Sequence, residues 1–366
     1  MEKIKLVDIC NPKQWKTIPT GELLDNGYPV YGANGVIGFY NEYNHENPVV
    51  AITCRGATCG SVNITEPKAY VTGNAMCLDD VRNDIDIEYL YYFFKHYDFK
   101  GVISGSAQPQ ITRQGLEKVI LSICSPDEQR SIIDKLKIIE AIIKLRELEL
   151  NNLDELIKAR FVELFGDIAT EDYKYETKKL GDVAEVGSSH RVFTSEFVDE
   201  GIPFYRGTEI GELANGQKPS DPYYISEEHY NRLANDETKP IIGDLLMPSI
   251  CNKGQVWMVD TEEPFYYKDG RVLCISPDRE IYNPKYLQYF MKVKTEVEYP
   301  KMGSGSTFAE FKIFLLKDFD ILTPPRRIQE EFTAFVEQVD KSKVVVQKSL
   351  DETQRLFDSL MQYYFG

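Results

Sequence analysis

Several features that mark catalytic, metal-binding or membrane proteins are scarce or missing in this sequence. The four histidines are scattered, and the seven cysteines include no C-x-x-C pair, so the sequence predicts reduced thiols and no metal site. No stretch approaches the roughly 18 consecutive apolar residues of a membrane span. The first residues lack the apolar segment of a signal peptide. We therefore expect a cytoplasmic protein without a membrane partner.

Positive charge is also in short supply. The chain has 42 Lys plus Arg against 58 Asp plus Glu, which gives a formal net charge of −16. Nucleic-acid binders meet phosphates with cations, so this balance disfavours DNA binding by the chain alone. A DNA-binding role requires cations gathered in particular loops, or partner subunits that supply most phosphate contacts.

Catalytic motifs are incomplete. The glycines of YGANGVIG at residues 31–38 favour a hairpin turn over a nucleotide loop, since no helical pattern follows them. SDPYY at residues 220–224 lacks the second proline of the Asp-Pro-Pro-Tyr loop of adenine methyltransferases. Asp127 follows Pro126 at a helix start, where an acid suits the helix dipole. We expect no catalytic residue and no cofactor on this chain.

An internal repeat is the main feature that the sequence does contain. KLVDI and GYPVY in the first half match KLGDV and GIPFY in the second half at an offset of 174 residues. Later blocks match at offsets of 194, 197 and 200, in the same order. The largest increase falls in residues 211–240, a polar stretch rich in Gly, Pro and Asn that predicts a loop. Such ordered repetition predicts one architectural unit present twice.

Each copy begins with short strand and turn patterns, exemplified by YPVYGANGVIGFY and PVVAITC, and continues with the helical pattern IEYLYYFFKH. A stretch of about 40 residues without Gly or Pro then carries apolar residues at heptad spacing. Arg146 and Arg160 interrupt this seam and are expected to pair with nearby acids. The expected helix-pairing residues are Ile132, Leu136, Ile139, Ile143, Leu150, Leu153, Ile157 and Leu164, and in the second copy Phe332, Val336, Val339, Val346, Leu350, Phe357 and Leu360.

The two long helices have equal lengths and matching seams, which favours an antiparallel pair, each helix spanning roughly 60 Å. Two independent amphipathic helices on separate cores are the alternative. The expected fold class is α/β (α+β), with two pseudo-repeated globular domains separated by two long antiparallel coiled-coil helices. The predicted boundaries are residues 1–125 for the first domain, 126–166 for the central helix, 167–324 for the second domain and 325–366 for the C-terminal helix.

The order of motifs resembles one known family. Each copy has a strand-rich module, a Gly-Ser turn, a helix opening with Pro and Gln and a long helix ending in Phe-Gly. The openings contain Pro126 with Gln129 and Pro325 with Gln329. Together with RGATCGSV at residues 55–62, this pattern is similar to the specificity subunit of type I restriction-modification enzymes. The second copy departs from the pattern around its Arg-Arg pair.

The resemblance implies that each globular copy is a target recognition domain for one half of a bipartite, asymmetric site in double-stranded DNA. The paired helices would set the spacing of the half-sites and dock two modification subunits, which are methyltransferases. S-adenosylmethionine and ATP are expected on partner subunits and not on this chain, with restriction subunits as optional further partners. Such partners would supply the cations that this acidic chain lacks.

Side chains that contact base edges are expected on loops at one edge of each domain. Arg and Lys suit guanine, Asn and Gln suit adenine, and small hydroxyls suit other positions. The candidates in the first copy are Tyr31, Asn34, Arg55, Thr58, Asn74, Gln108, Gln110 and Arg113. The candidates in the second copy are Arg191, Tyr205, Arg206, Lys253, Arg271, Lys301, Ser304, Ser306 and Thr307.

Two other classes of protein remain open at this point. One is the recognition subunit or region of a type II restriction-methylation enzyme, for which binding of S-adenosylmethionine by the isolated chain would be diagnostic. The other is an acidic anti-restriction protein that mimics DNA. A mimic needs a continuous track of carboxylates, whereas acids here alternate with Lys and Arg along both helices.

Overall fold

The computed structural model describes residues 2–105, 108–234, 239–302 and 309–366. The chain folds into two compact units. Unit 1 consists of Met1–Leu150 and Val345–Gly366, and unit 2 consists of Asn151–Val344. Each unit contains one globular region and a segment of each long helix. Within the described ranges, every helix is too short or too polar to cross a membrane.

Unit 1 contains short strands, short helices and the first part of a long helix. Its strands are β1 (Glu2–Lys5), β2 (Asn11–Gln14), β3 (Tyr28–Gly32), β4 (Gly35–Tyr40), β5 (Val50–Thr53), β6 (Val62–Ile64), β7 (Tyr70–Val71), β8 (Ala75–Asp79), β9 (Ile103–Ser104), β10 (Gln110–Ile111) and β11 (Ile120–Ile123). Its helices are α1 (Ile87–His96), α2 (Arg113–Leu116) and α3 (Pro126–Phe165), the last of which continues into unit 2.

The strands of unit 1 form small sheets. One has the order β2-β8-β5-β6, a second has the order β4-β3-β7 with β3 parallel to β7, and β1 pairs with β11 as β9 does with β10. Side chains alternate between the two faces of a strand, so β8 contributes to two cores. Met76 and Leu78 pack with residues of α1 and α3. Ala75 and Cys77 pack with Tyr31 on the other face.

Unit 2 has more elements. Its strands are β12 (Gly166–Asp167), β13 (Asp172–Tyr173), β14 (Thr177–Lys179), β15 (Ala184–Gly187), β16 (Phe197–Val198), β17 (Ile202–Tyr205), β18 (Tyr223–Ile225), β19 (Leu245–Pro248), β20 (Trp257–Met258), β21 (Tyr266–Tyr267), β22 (Val272–Pro277) and β23 (Asp320–Leu322). Its helices are α4 (Leu180–Val183), α5 (Gly207–Ala214), α6 (Glu227–Leu233), α7 (Pro284–Glu298), α8 (Ile313–Lys317) and the first part of α9 (Arg326–Phe365).

Unit 2 repeats the strand order of unit 1. The sheet β15-β22-β19-β20 corresponds to β2-β8-β5-β6, and the pair β14-β23 corresponds to β1-β11. Lys13 lies opposite Cys77 in unit 1, as Gly187 lies opposite Cys274 in unit 2. These pairs reproduce the sequence offsets of 174 and 197. Strand pairing therefore confirms the predicted repeat.

One match in the block with offset 197 is wrong by one residue. The sequence match places Tyr70 against Tyr267. In the structure, Val30 pairs with Tyr70 and Phe204 pairs with Tyr266 in the equivalent parallel ladders. Tyr266 is therefore the structural equivalent of Tyr70. Two adjacent tyrosines in the second copy match one tyrosine equally well, and this concealed the shift.

Residues 211–240 are not only loop, so that part of the prediction was wrong. Helix α5 extends into this segment, and β18 and α6 lie within it. Strand β18 pairs with both β16 and β17 and buries Ile225 completely. Helix α6 begins at the N-cap residue Ser226 and buries Tyr230. Polar turn residues flank these short apolar segments and hide them in the sequence. The segments become ordered because they pack against the rest of unit 2.

Both long helices have 40 residues. In unit 2, Asp154 lies 2.5 Å from Lys343 and Arg160 lies 2.5 Å from Glu331. Partner numbers fall along α9 as they rise along α3, so the two segments run antiparallel. The predicted antiparallel arrangement is confirmed there.

The predicted helix-pairing residues are buried or half-buried. In unit 1 they are Ile132, Leu136, Ile139, Ile143, Leu150, Val346, Leu350, Phe357 and Leu360. In unit 2 they are Leu153, Ile157, Leu164, Phe332, Val336 and Val339. The heptad pattern missed Phe161 and Met361, which are 2% and 3% exposed, because they lie beside the seam and pack against the globular regions.

The two arginines of the seam pair with acids, as predicted. Arg146 donates to Glu149 at 2.7 Å in unit 1. Arg160 donates to Glu163 at 2.8 Å and to Glu331 in unit 2. Both arginines are half-buried while their guanidinium groups reach the acids.

A fully buried glutamine connects α3 to the globular region of unit 1. The Gln129 Oε1 accepts a hydrogen bond from the amide of Asp86, the N-cap of α1, at 2.8 Å. Its Nε2 donates to the carbonyls of Asp84 and Cys124 at 3.0 and 2.9 Å. The side chain therefore satisfies backbone groups that would otherwise be buried without partners.

Gln329 forms the same contacts at the start of α9. Its Oε1 accepts from the amide of Asn283, the N-cap of α7, at 2.8 Å. Its Nε2 donates to the carbonyls of Ile281 and Pro324 at 3.0 and 2.9 Å. This shared role explains why both helix openings carry a glutamine.

Candidate nucleic-acid interface

Three loops of unit 1 meet at the end of β5. The hydroxyl of Thr53 donates to the carbonyl of Ala33, in the turn between β3 and β4. The amide of Cys54 donates to the carbonyl of Asn74 at 2.9 Å, and its carbonyl accepts from the amide of Ile111 at 3.0 Å. These bonds hold the β3–β4 turn, the loop before β8 and the strand β10 beside one another.

Five predicted DNA-binding residues lie on these joined loops, and we call them the first loop cluster: Asn34, Arg55, Asn74, Gln108 and Gln110. Arg55 forms an isolated antiparallel bridge with Gln110. Asn34, Arg55 and Gln108 are exposed, whereas Asn74 and Gln110 are half-buried. The cluster presents amide and guanidinium groups, which can form paired hydrogen bonds with base edges.

Arg55 is the exposed cation of the first loop cluster. Within the described residues it has no ion pair. Gly56 follows it with a φ of 88° and has open space where a Cβ would stand. Thr58, on the same loop, is half-buried. Another chain could approach the backbone closely at this loop.

The remaining candidates of unit 1 have local partners. Tyr31 is 7% exposed, and its hydroxyl accepts a hydrogen bond from the amide of Glu66 at 3.1 Å. This burial favours a packing role for Tyr31. Arg113 opens α2 and lies 3.4 Å from Glu117, with both side chains exposed.

Unit 2 brings the equivalent loops together. The amide of Ser249 donates to the carbonyl of Arg271 at 2.8 Å, and its carbonyl accepts from the amide of Phe311 at 2.7 Å. These bonds match those of Cys54 in unit 1. Arg271 therefore occupies the position of Asn74, although the sequence analysis did not pair these two residues.

Lys253 is not the structural equivalent of Arg55. Ile250 follows Ser249 as Arg55 follows Cys54, and Lys253 lies three positions further along the loop. A Cβ on Gly254 would stand 2.6 Å from the Lys292 side chain. Helix α7 therefore covers the backbone of Gly254, whereas the backbone of Gly56 in unit 1 is open. Lys253 itself is exposed.

Three cations predicted for unit 2 lie beside acids on the surface. Arg191 donates to Asp269 at 3.2 Å, and Lys301 lies 3.1 Å from Glu298. Arg271 pairs with Glu310. The three cationic side chains are 51–69% exposed and therefore accessible to a phosphate, whereas their acid partners are 19–24% exposed.

Tyr205 and Arg206 are held more firmly. Tyr205 is half-buried and stacks on Phe265 with ring centroids 5.2 Å apart, and burial raises the pKa of its hydroxyl. The Arg206 amide donates to Glu209, and its guanidinium lies 4.2 Å from the ring centroid of Tyr223. These contacts favour structural roles. The candidates Ser304, Ser306 and Thr307 lie outside the described residues.

Asn63 lies beside the first loop cluster and is not among the predicted DNA-binding residues. Its Oδ1 lies 4.0 Å from the position that a Cβ would take on Gly35, beside the turn that carries Asn34. It is half-buried in β6.

The family of the chain follows from the sequence comparison. The sequence matches the family model described as "Type I restriction modification DNA specificity domain" over residues 1–155 and 173–352. The match covers most of the chain and both copies of the repeat. The chain therefore belongs to this family.

Individual relatives agree with this membership. A Haemophilus influenzae chain, described as a type I restriction enzyme specificity subunit, is 22% identical over 338 residues, covering 89% of this chain and 83% of that protein. The solved S subunit of a type I restriction-modification system from M. genitalium has a TM-score of 0.59 at 14% identity, covering 100% and 96% of the two chains. A chain of a solved type I R-M system has a TM-score of 0.62 at 16% identity, covering 100% and 97%.

Proposed function

We propose that this chain is the DNA sequence-recognition subunit of a type I restriction-modification complex. Each globular region contacts one half of a bipartite, asymmetric site. The observation that carries this proposal is the repeated meeting of loops at Cys54 and Ser249, one in each unit, within a chain of the specificity family. Modification subunits bring S-adenosylmethionine and carry the methylation chemistry, and restriction subunits bring ATP.

The first experiment substitutes Arg55 by Ala in the complex reconstituted with its modification subunit. A bidentate contact with a base contributes about 1–3 kcal/mol, so methylation of the cognate site should fall by roughly 5- to 150-fold. The base preference at one position of one half-site should also become weaker. Methylation of DNA libraries randomised at each half-site gives both quantities.

Lys5→Ala is the matched control, because it removes the same charge from an exposed position of unit 1 on β1. It should leave sequence preference unchanged. If Arg55→Ala lowers methylation equally for all DNA sequences, Arg55 contacts a phosphate and not a base. If DNA affinity and sequence preference both stay unchanged, the result would contradict a DNA contact at the first loop cluster.

The long helices supply the surface for the modification subunits in this proposal. In unit 1, Ile138, Ile142, Leu145 and Leu148 of α3 are 61%, 39%, 63% and 53% exposed. In unit 2, Val344 of α9 is 69% exposed. Rows of exposed apolar side chains on paired helices are typical of protein interfaces.

Ile138→Glu combined with Leu145→Glu tests this surface. Both side chains are exposed, so the free energy of unfolding should change by about 0.5 kcal/mol or less per site, while two charges should prevent an apolar interface from closing. Light scattering after size exclusion should show loss of the complex with the modification subunit. Lys144→Glu on the same helix is the control, and an intact complex in the double variant would contradict docking at this face.

A further inference from the structure

A compact cluster of metal-ligand side chains lies in unit 1 at strand β8. Cys77 and Asp79 point to the same face of β8 because they are two residues apart. The His45 Nε2 lies 3.1 Å from the Asp79 Oδ1, and these atoms and the Cys77 Sγ all lie within 4.8 Å of one another. The side chains of His45 and Asp79 are 10% and 11% exposed, and Cys77 is fully buried.

Asn44 fixes the tautomer of the His45 ring. Its Nδ2 donates to the carbonyl of Val71 at 3.0 Å, and its Oδ1 accepts from the amide of Val71 at 2.9 Å. These two bonds allow only one orientation of the Asn44 amide. The Asn44 Oδ1 also lies 2.6 Å from the His45 Nδ1, so Nδ1 must carry a hydrogen and donate it.

The other ring nitrogen, Nε2, faces the Asp79 carboxylate. Trp15 donates its Nε1 hydrogen to the Asp79 Oδ2 at 3.0 Å, which holds the other oxygen, Oδ1, towards His45. Nε2 and Oδ1 stand 3.1 Å apart, so a cation can hold both atoms: a proton on the imidazole, or a metal ion bound to both.

We propose that His45, Cys77 and Asp79 bind one divalent transition-metal ion of the zinc class. Nitrogen, sulfur and carboxylate ligands are the set that Zn²⁺ accepts, and tetrahedral Zn²⁺ separates its ligands by about 3.3–3.7 Å. The His45–Asp79 distance of 3.1 Å is close to this separation, and the Cys77 Sγ lies within 4.8 Å of both atoms. Asn44 and Trp15 supply the outer hydrogen bonds that orient ligating imidazole and carboxylate groups.

The repeat supplies an internal comparison for the site. Lys13 lies opposite Cys77 in the strand register, and its Nζ stands 3.7 Å from the centroid of the Trp15 ring, whose Nε1 donates to Asp79. In unit 2, Cys274 occupies the position of Cys77, and Ser276 occupies that of Asp79. The second copy therefore retains the cysteine without the carboxylate.

The site would join two segments that are distant in the sequence. His45 belongs to the connection between β4 and β5 and forms an isolated bridge with Ala69, whereas the other two ligands belong to β8. An ion here stabilises the folded state in proportion to its affinity. Its role is structural and lies outside the DNA-contacting loops.

The experiment uses the full chain, purified under reducing conditions, with Zn²⁺ and Co²⁺ as probes. We expect about one Zn²⁺ per chain after gel filtration. A Zn²⁺ concentration 100-fold above the dissociation constant should raise the Tm of unit 1 by about 5–10 °C. Co²⁺ should give the near-ultraviolet charge-transfer band of a cobalt–thiolate bond.

Cys77→Ser and His45→Gln should lose the bound metal, and Cys77→Ser should lose the thiolate band. Cys274→Ser is the matched control and should retain both. Absence of metal from the wild-type chain would overturn the proposal directly, whether or not the variants fold, and would identify the cluster as an imidazolium–carboxylate pair. Metal retained in the His45 and Cys77 variants would place the ion elsewhere and also overturn it.

Discussion

At the scale of single residues, the two buried glutamines show how one side chain can define a family pattern without contacting DNA. Gln129 and Gln329 each satisfy one amide and two carbonyls where the helix meets the globular region. The sequence identified both positions as part of a recurring motif. It could not reveal their partners, because four of the six bonds join residues more than 40 positions apart.

Gln129→Leu should lower the free energy of unfolding of unit 1 by about 2–4 kcal/mol, since it leaves buried backbone groups unpaired. The chain has two tryptophans. Urea unfolding can therefore be followed through Trp15 alone in a Trp257→Phe background. Gln347→Leu, on the exposed surface of α9 in the same unit, is the control and should change this energy by less than about 0.5 kcal/mol. Equal effects of both variants would contradict the assigned role.

The candidate DNA-binding residues show a different limit of prediction. Residue type alone grouped the buried Tyr31 with the exposed Arg55, since nothing in one sequence distinguishes an inward from an outward position in a short strand. Arg55 and Lys253 were both chosen as cations, but hydrogen bonding makes Ile250 the structural equivalent of Arg55. Loop positions depend on which backbone groups meet in the fold, and the sequence contains that information only indirectly.

At the scale of elements, the start of α5 depends on one buried carboxylate. Glu209 is 1% exposed and accepts hydrogen bonds from the Arg206 amide at 2.7 Å and from its Nε at 3.1 Å. Burial raises the Glu209 pKa, but the hydrogen bonds from Arg206 outweigh burial and hold the pKa below its ordinary value. The folded state therefore favours the ionised form.

Glu209→Gln should destabilise unit 2 by about 1–3 kcal/mol at neutral pH, because a charge-assisted bond is replaced by a neutral one. A lowered pKa contributes stability above the unfolded value of about 4.3, and this contribution is lost as pH falls through the folded value. The difference between wild type and variant should be constant above about pH 5.5 and shrink below it. Denaturation at a series of pH values measures this, and a difference that grows in acid would refute the assignment.

Elements with a strong apolar pattern were more predictable than short elements among polar residues. The patterns of YPVYGANGVIGFY and IEYLYYFFKH correctly predicted the β3–β4 hairpin and α1, and the seam of α3 follows its heptads. Residues 211–240 were predicted wrongly because Gly, Pro and Asn outnumber the apolar residues of β18 and α6. Short elements of this kind are stabilised by tertiary pairing more than by local propensity.

At the scale of the whole molecule, the proposed function gives the helices a measurable geometric role. Insertion of one heptad into both helices, between Leu150 and Leu153 and between Leu350 and Thr353, keeps the seam in phase and adds ~10 Å. At ~3.4 Å per base pair, the preferred spacer should grow by about three pairs. Those pairs also rotate one half-site by roughly 100°, so methylation efficiency should fall.

Methylome sequencing of cells that carry the variant with its modification subunit gives the spacer directly. A shift to a longer spacer supports the role of the helices in spacing. Methylation at the original spacing with unchanged efficiency would rule this role out and leave the helices an assembly function. A matched variant with the heptad in α3 alone should lose both activity and helix pairing, because the two seams would no longer align.

Because unit 1 combines the first and last segments of the chain, the order of synthesis affects when each unit can fold. Unit 2 is one continuous segment, Asn151–Val344, whereas unit 1 needs Val345–Gly366 to complete its core. Phe357 and Met361 of that segment are 7% and 3% exposed among unit 1 residues. The first segment of unit 1 is translated first, but unit 1 cannot complete its core until Val345–Gly366 has left the ribosome. Until then, the newborn chain exposes the apolar face of α3 to chaperones and proteases.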